Sequence, residues 1–173
     1  MIEIDDWENL LDMDAIAAPD DKLSECEYFI ALASTETNVQ KFRWLISAFL
    51  GAAYSFFEIF ALGAHQRFMD PFSGAPVEDA QALDSLRRYV TVTLKSKRTL
   101  LFVKTGGSHP VTEQLYAIRR ANTHHVPLSI MTAGPLLPED FHFGHITGKG
   151  TPVLAFCREV MSLMYEAQQE VDG

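Results

Sequence analysis

Trp44 to Ala64 reads WLISAFLGAAYSFFEIFALGA, 21 residues with a single charge, Glu58. A membrane span and a buried core helix are the two structures open to it. The run is long enough to cross a bilayer, which needs about 20 apolar residues. Three features favour a buried core helix instead. Glu58 would sit deep in hydrocarbon. The small residues Ser47, Ala48, Gly51, Ala52 and Ser55 recur at three- and four-residue spacing, which lets soluble helices pack closely. No second hydrophobic segment accompanies the run. The expected partner list therefore contains no membrane. The helix is expected over about Glu36–Phe68, with Phe42, Leu45, Ile46, Phe49, Leu50 and Ala53 at helical spacing.

On the N-terminal side, Thr35 to Asn38 offers caps for that helix. Before it, Pro19-Asp20-Asp21 reads as a helix start, because acids in a first turn complement the helix dipole. A helix from about Asp20 to Ser34 follows, with Leu23, Cys26, Phe29 and Ile30 among its apolar residues. Residues 1–19 are an acidic segment with a few apolar residues, Trp7 and Leu10 among them. An acidic N-terminus does not match the basic start of a secretory signal. Cys26 and Cys157 are distant and lack CxxC spacing, as expected of a reducing, cytoplasmic setting.

On the C-terminal side, Asp70 to Pro76 (DPFSGAP) breaks the helix. Residues 89–103 support two readings. Leu83, Leu86 and Val90 share a helical face. Yet Tyr89–Leu94 and Thr99–Val103 are β-branched and apolar enough for a short β-hairpin around Lys95–Arg98. Gly106-Gly107 ends this element, Ser108 is the expected N-cap, and Pro110 opens a helix with Val111, Leu115 and Ile118 on one stripe. Pro127 stops it. Residues 126–152 are rich in Pro and Gly and are expected to be an irregular excursion with one or two short strands. Val153 to Gln169 closes the chain as an amphipathic helix. The 173 residues are expected to form a single, mainly α domain.

The segment suited to chemistry is Arg119-Arg120-Ala121-Asn122-Thr123-His124. Arginine offers a permanent cation with a fork of donors for phosphate. Histidine titrates near neutral pH. Together they meet the minimum for metal-free RNA cleavage: Arg119 holds the phosphate and His124 moves the proton. Five residues apart is not one face of a helix, so a bend or helix end near Asn122 is expected to bring both to one rim. No metal is expected: His142 and His145 lack a matching Cys or carboxylate pattern. Gly144 to Thr151 (GHITGKGT) fails the P-loop spacing. No cofactor is expected.

Arg119 to His124 matches R-x-x-x-x-H, and with the long helix around Phe42–Ala53 the chain resembles the HEPN superfamily over roughly residues 20–128. The resemblance implies a helical bundle that works as a homodimer, with the two motifs facing each other. It also implies either a metal-independent endoribonuclease of toxin–antitoxin or defence type, or a non-catalytic module that binds a nucleotide or a protein partner. Arg120 stands where catalytic members usually carry a polar residue, often Asn.

Charge sharpens the phosphate reading. The net charge is −9, from 14 Lys+Arg against 23 Asp+Glu. Such a balance excludes a generally basic nucleic-acid coat. Residues 87–125, however, hold eight bases and one acid, net +7. Arg87, Arg88, Lys104, Arg120, Asn122 and His125 are therefore candidate phosphate-binding residues beside Arg119 and His124.

Overall fold

The computed structural model describes residues 19–68, 88–94, 101–124, 127–132, 134–144 and 150–172. The acidic segment 1–18, the Asp70–Pro76 breaker, the Lys95–Arg98 turn, Arg87 and His125 lie outside the described residues. So do the side chains of Lys104 and His124.

Helix α1 spans Pro19–Ala33, with Asp20 and Asp21 in its first turn. Helix α2 spans Val39–Phe68. The five residues between them turn the chain back, and the two helices pack as a hairpin. Asn38 caps α2 as its sequence position suggests: Oδ1 accepts from the backbone N–H of Gln40 at 3.0 Å and of Lys41 at 3.1 Å. Glu36 Oε1 fixes this cap by accepting from the Asn38 N–H at 2.8 Å.

The apolar run that starts at Trp44 is a core helix. Phe42, Ile46, Phe49, Leu50, Ala53, Phe56 and Phe57 are wholly or almost wholly buried, at helical spacing. Each buried phenylalanine contributes roughly 1.5–3 kcal/mol of transfer free energy. Among the described residues, no helix is long and apolar enough to cross a membrane.

Residues 89–103, open between helix and hairpin in the sequence, carry strands. Strand β1 (Val90–Leu94) pairs antiparallel with β2 (Leu101–Gly106), with a register shift between Thr91 and Val92. Tyr89 leads in. It is fully buried, and its ring stacks on Phe57 at 6.0 Å. Its carbonyl accepts from the Gly107 N–H at 2.7 Å, which ties the end of the strand pair to the start of the next helix.

That helix, α3, spans Pro110–His124. Its cap is His109 rather than the expected Ser108. The His109 carbonyl accepts the Glu113 N–H at 3.0 Å, and its Nδ1 accepts the Val111 N–H at 3.3 Å. Pro110 takes the first helical position, where its missing N–H leaves nothing unpaired, and this moves the cap one residue past Ser108.

The Pro- and Gly-rich excursion is more ordered than its composition suggests. β3 (Ile130–Thr132), β4 (Phe141–Phe143) and β5 (Thr151–Pro152) form an antiparallel sheet in that order, with a 3-10 turn at Pro138–Asp140. Phe141 meets Phe42 edge-on at 4.5 Å, and Phe143 meets Phe156 at 5.8 Å, so β4 is pinned to two helices. Helix α4 (Val153–Asp172) follows directly. Its buried stripe Val153, Phe156, Cys157, Val160, Met164 and Ala167 joins the same core, and the described residues form a mainly α architecture with two small sheets. Gln168 and Tyr165 of α4 donate to Asp20 and Glu27 of α1. Burial pushes the Cys26 thiol up to about 12 and the Cys157 thiol upward too, so both cysteines act as apolar core groups.

Candidate functional site

Helix α3 meets α2 along a narrow polar seam. On α2, Ser47, Tyr54 and Glu58 follow one another at i, i+7 and i+11, outside the buried phenylalanine stripe. On α3, Tyr116, Arg119 and Asn122 repeat at i, i+3 and i+6. Both patterns place each set on one helical face.

The two sets interlock. The Arg119 guanidinium carbon lies 3.8 Å from the centre of the Tyr54 ring. This is a cation–π contact, worth about 0.5–1 kcal/mol where exposed and more where water is excluded. The Tyr54 and Tyr116 rings meet at 4.7 Å with a 47° tilt. One turn on, the Asn122 amide nitrogen donates to Ser47 Oγ at 3.2 Å.

Glu58 gives the seam its charge. Burial pushes the Tyr54 phenol up to about 12, helped by Glu58 as hydrogen-bond acceptor and as negative charge, with Arg119 opposing. Burial also raises Tyr116, with Glu58 and Tyr54 adding to it. The Tyr116 hydroxyl is buried and has no hydrogen-bond partner among the described residues.

The other sequence candidates scatter. Arg120 is exposed on a different side of α3 from Arg119. Arg88 is exposed, with its guanidinium 5.6 Å from the Tyr89 ring. Helix α3 runs without a bend from Pro110 to its described end at His124, two residues past Asn122. Five residues of unbroken helix put positions 119 and 124 roughly 140° apart around the axis. Of the candidates, Arg119 and Asn122 share the seam toward α2.

Neither a family model, nor a curated protein, nor a solved structure matches the chain. Its chemistry is therefore read from its own geometry.

A second feature adjoins the seam at Asn122, which belongs to both. A groove of about 390 Å³ opens between this helix and the small sheet, walled by Ile118, Ala121, Leu128 and Phe143. Gln114, Asn122, Ser129 and Thr151 also line it. Gln114 Nε2 donates to Thr151 Oγ1 at 3.2 Å, and Ser129 Oγ donates to the Gly144 carbonyl at 3.0 Å. Among the described residues, no charged side chain lines it, and no group of three His, Cys, Asp or Glu is placed to hold a metal.

Sequence reasoning missed Tyr54, Tyr116, Gln114 and Thr151, and it weighed Glu58 only as a charge in an apolar run. The signal for the seam was present: Tyr54–Glu58 at i, i+4 and Tyr116–Arg119 at i, i+3. The Gln114–Thr151 pair had no such signal, because those residues are 37 positions apart.

Proposed function

We propose that this chain is a HEPN-like, non-catalytic helical module that binds RNA or a nucleotide without cleaving it. The carrying observation is the placement of Arg119 on the Tyr54 ring, in the electrostatic field of Glu58. Stacking on Tyr54 engages the face of the guanidinium and fixes its orientation, while its N–H donors point outward in the guanidinium plane, a geometry suited to orienting a phosphate. The unbroken α3 also separates positions 119 and 124 around the axis, and the paired acid–base geometry needs them on one rim. Binding itself is supported by the net +7 of residues 87–125 and by the exposure of Arg88 and Arg120. The working form in this reading is a cytoplasmic homodimer, which light scattering of the purified protein checks.

The test uses end-labelled single-stranded RNA with EDTA present. Intact RNA and a salt-dependent shift in mobility are expected, and the combined Arg88→Ala and Arg120→Ala variant should lower both affinity and the salt slope. RNA cleavage that disappears in both Arg119→Ala and His124→Ala would overturn the non-catalytic reading. Absence of any RNA or nucleotide binding would overturn the binding reading.

A further inference from the structure

We propose that the outward side of the α1–α2 hairpin is a self-association face, on which a second copy of this chain packs antiparallel about a two-fold axis. Between Arg43 and Glu58, helix α2 carries no charge, yet its side opposite the core is not sealed. Trp44 is 59% exposed there, and Ala48, Gly51 and Ser55 follow it at i+4, i+7 and i+11, only partly buried. On α1, Tyr28 is 61% exposed and Leu32 40% exposed, one turn apart and opposite the buried Leu23, Cys26 and Ala33.

The two stripes lie side by side. Cys26 Sγ reaches the Phe49 carbonyl at 3.8 Å, and the helices run antiparallel from the turn between them. Leu32 therefore stands at the level of Arg43 and Trp44, and Tyr28 at the level of Ser47 and Ala48. Both helices give one side to the same core, so the sides opposite it form one surface. Tyr28, Leu32 and Trp44 make an exposed apolar patch at one end of that surface, and such patches mark association sites.

The surface complements itself in shape. Trp44, Leu32 and Tyr28 raise one end. The other is shallow at Gly51 and Ser55, and a Cβ on Gly51 would meet nothing within 4 Å. A two-fold axis lying in the face and perpendicular to the helices lays each raised end on the partner's shallow end, the isologous arrangement. Charge follows the same symmetry. Arg43 and Glu58 are both partly exposed and lie about four turns apart, on the α3 edge of the face. The midpoint between them falls at Leu50 and Gly51. An axis at that level sets Arg43 of each copy opposite Glu58 of the other, twice over. A second copy meets both conditions with no further requirement. The inference rests on the homodimer reading above and names its face.

Sedimentation equilibrium of the full chain tests it, because the full chain carries every segment that could cover the face from within. A dimer is expected at about 100 μM, a concentration that detects even weak pairing. Trp44→Glu puts a charge on the raised end at an exposed position. It should weaken association by at least about tenfold while circular dichroism keeps the helix content. Arg43→Glu and Glu58→Lys each place like charges in both symmetry-related pairs, and each should weaken association by about tenfold. Mixed one to one, the two variants restore opposite charges in both pairs, and association should return to near the wild-type affinity. A folding defect in either variant cannot produce that rescue. A wild type that stays monomeric overturns this face and the homodimer reading together. A dimer unaffected by Trp44→Glu, or variants that fail to pair on mixing, overturns the face and leaves the homodimer reading standing. RNA binding lost from a chain that still dimerises removes the RNA reading and not this face.

Discussion

On one side of α2, Phe42, Ile46, Phe49, Phe56 and Phe57 are sealed in the apolar core. On another, Ser47 and Tyr54 meet α3 through a hydrogen bond, a ring contact and a cation over a ring, with Glu58 one turn beyond Tyr54. Both stripes belong to the same helix and are separated only by residue spacing. The apolar side gains from every methylene removed from water and tolerates little loss of volume. The polar side depends on a few directional contacts whose net contributions are small. The helix is held by its phenylalanines, while its polar contacts sit where they are absent.

The largest effect should come from breaking the apolar side. Phe49 is fully buried, and Cys26 Sγ reaches its carbonyl at 3.8 Å. Phe49→Ala should lower stability by about 3–5 kcal/mol through lost transfer energy and a residual cavity. Urea titration at constant m-value measures it. A loss below about 1 kcal/mol would mean that the packed stripe is not the main anchor.

Next is the hinge of the small sheet that carries one wall of the groove. Gly144 has φ +132°, a conformation that favours glycine, and Gly150 faces it. A Cβ on Gly150 would come within 2.3 Å of the Phe143 carbonyl oxygen, so the backbone of β4 or β5 must move. Gly150→Ala should cost about 2 kcal/mol and should displace the Phe143 resonances more than those of Phe49. The apolar side of α2 should keep its protection from hydrogen exchange in this variant.

The seam predicts a pH response with a definite sign. The Tyr54 phenol is raised from its ordinary value near 10 to about 12, so folding favours its neutral form. That contribution is fully present below pH 10. Above it the unfolded chain ionises first, and stability falls as pH rises from 10 toward 12. Glu58→Gln removes both the acceptor charge and its repulsion of phenolate, so Tyr54 should ionise at lower pH. Ultraviolet phenolate absorbance in the Glu58→Gln and Tyr54→Phe variants assigns the step. An unchanged titration in Glu58→Gln would separate Glu58 from the seam.

A smaller change should go the other way. Gly51 lies within the 30-residue helix, and a Cβ added there meets nothing within 4 Å. Gly51→Ala should stabilise the protein by about 0.5–1 kcal/mol through helix propensity and a less flexible unfolded chain. A higher thermal midpoint checks it. Destabilisation would show that α3 approaches α2 more closely at this turn.

These predictions also mark what the sequence could and could not reveal. Four helices were legible because their apolar residues repeat every three or four positions over 15 residues or more. Residues 89–103 stayed open because Tyr89–Leu94 carries β-branched residues while Val90 also fits a helical stripe. The burial of Tyr89 against Phe57, a tertiary contact 32 positions away, accompanies the strand arrangement. The three-strand sheet was underestimated because its strands are two or three residues long, below the length at which alternation can be read. Arg119 was legible as a residue of interest. Its engagement with Tyr54 was not, since it depends on how α3 docks. The strand pair Val90–Leu94 and Leu101–Gly106 is the hairpin reading of that stretch.

The finest probe of the comparison is the hydrogen bond from Asn122 to Ser47 at the far end of the seam. Neither residue is fully buried, so water can replace either partner. Asn122→Ala and Ser47→Ala should each cost less than about 1 kcal/mol, and their coupling in a double-mutant cycle should be about 0.5 kcal/mol. Arg119→Ala serves as the reference within the same helix. Coupling that vanishes in the Arg119→Ala background would mean that the cation on Tyr54 sets the docking of α3 and the amide follows. Coupling that persists would mean that the amide docks the helix independently. In that case Arg119→Ala should leave the docking of α3 on α2 unchanged, read as unshifted Tyr116 resonances.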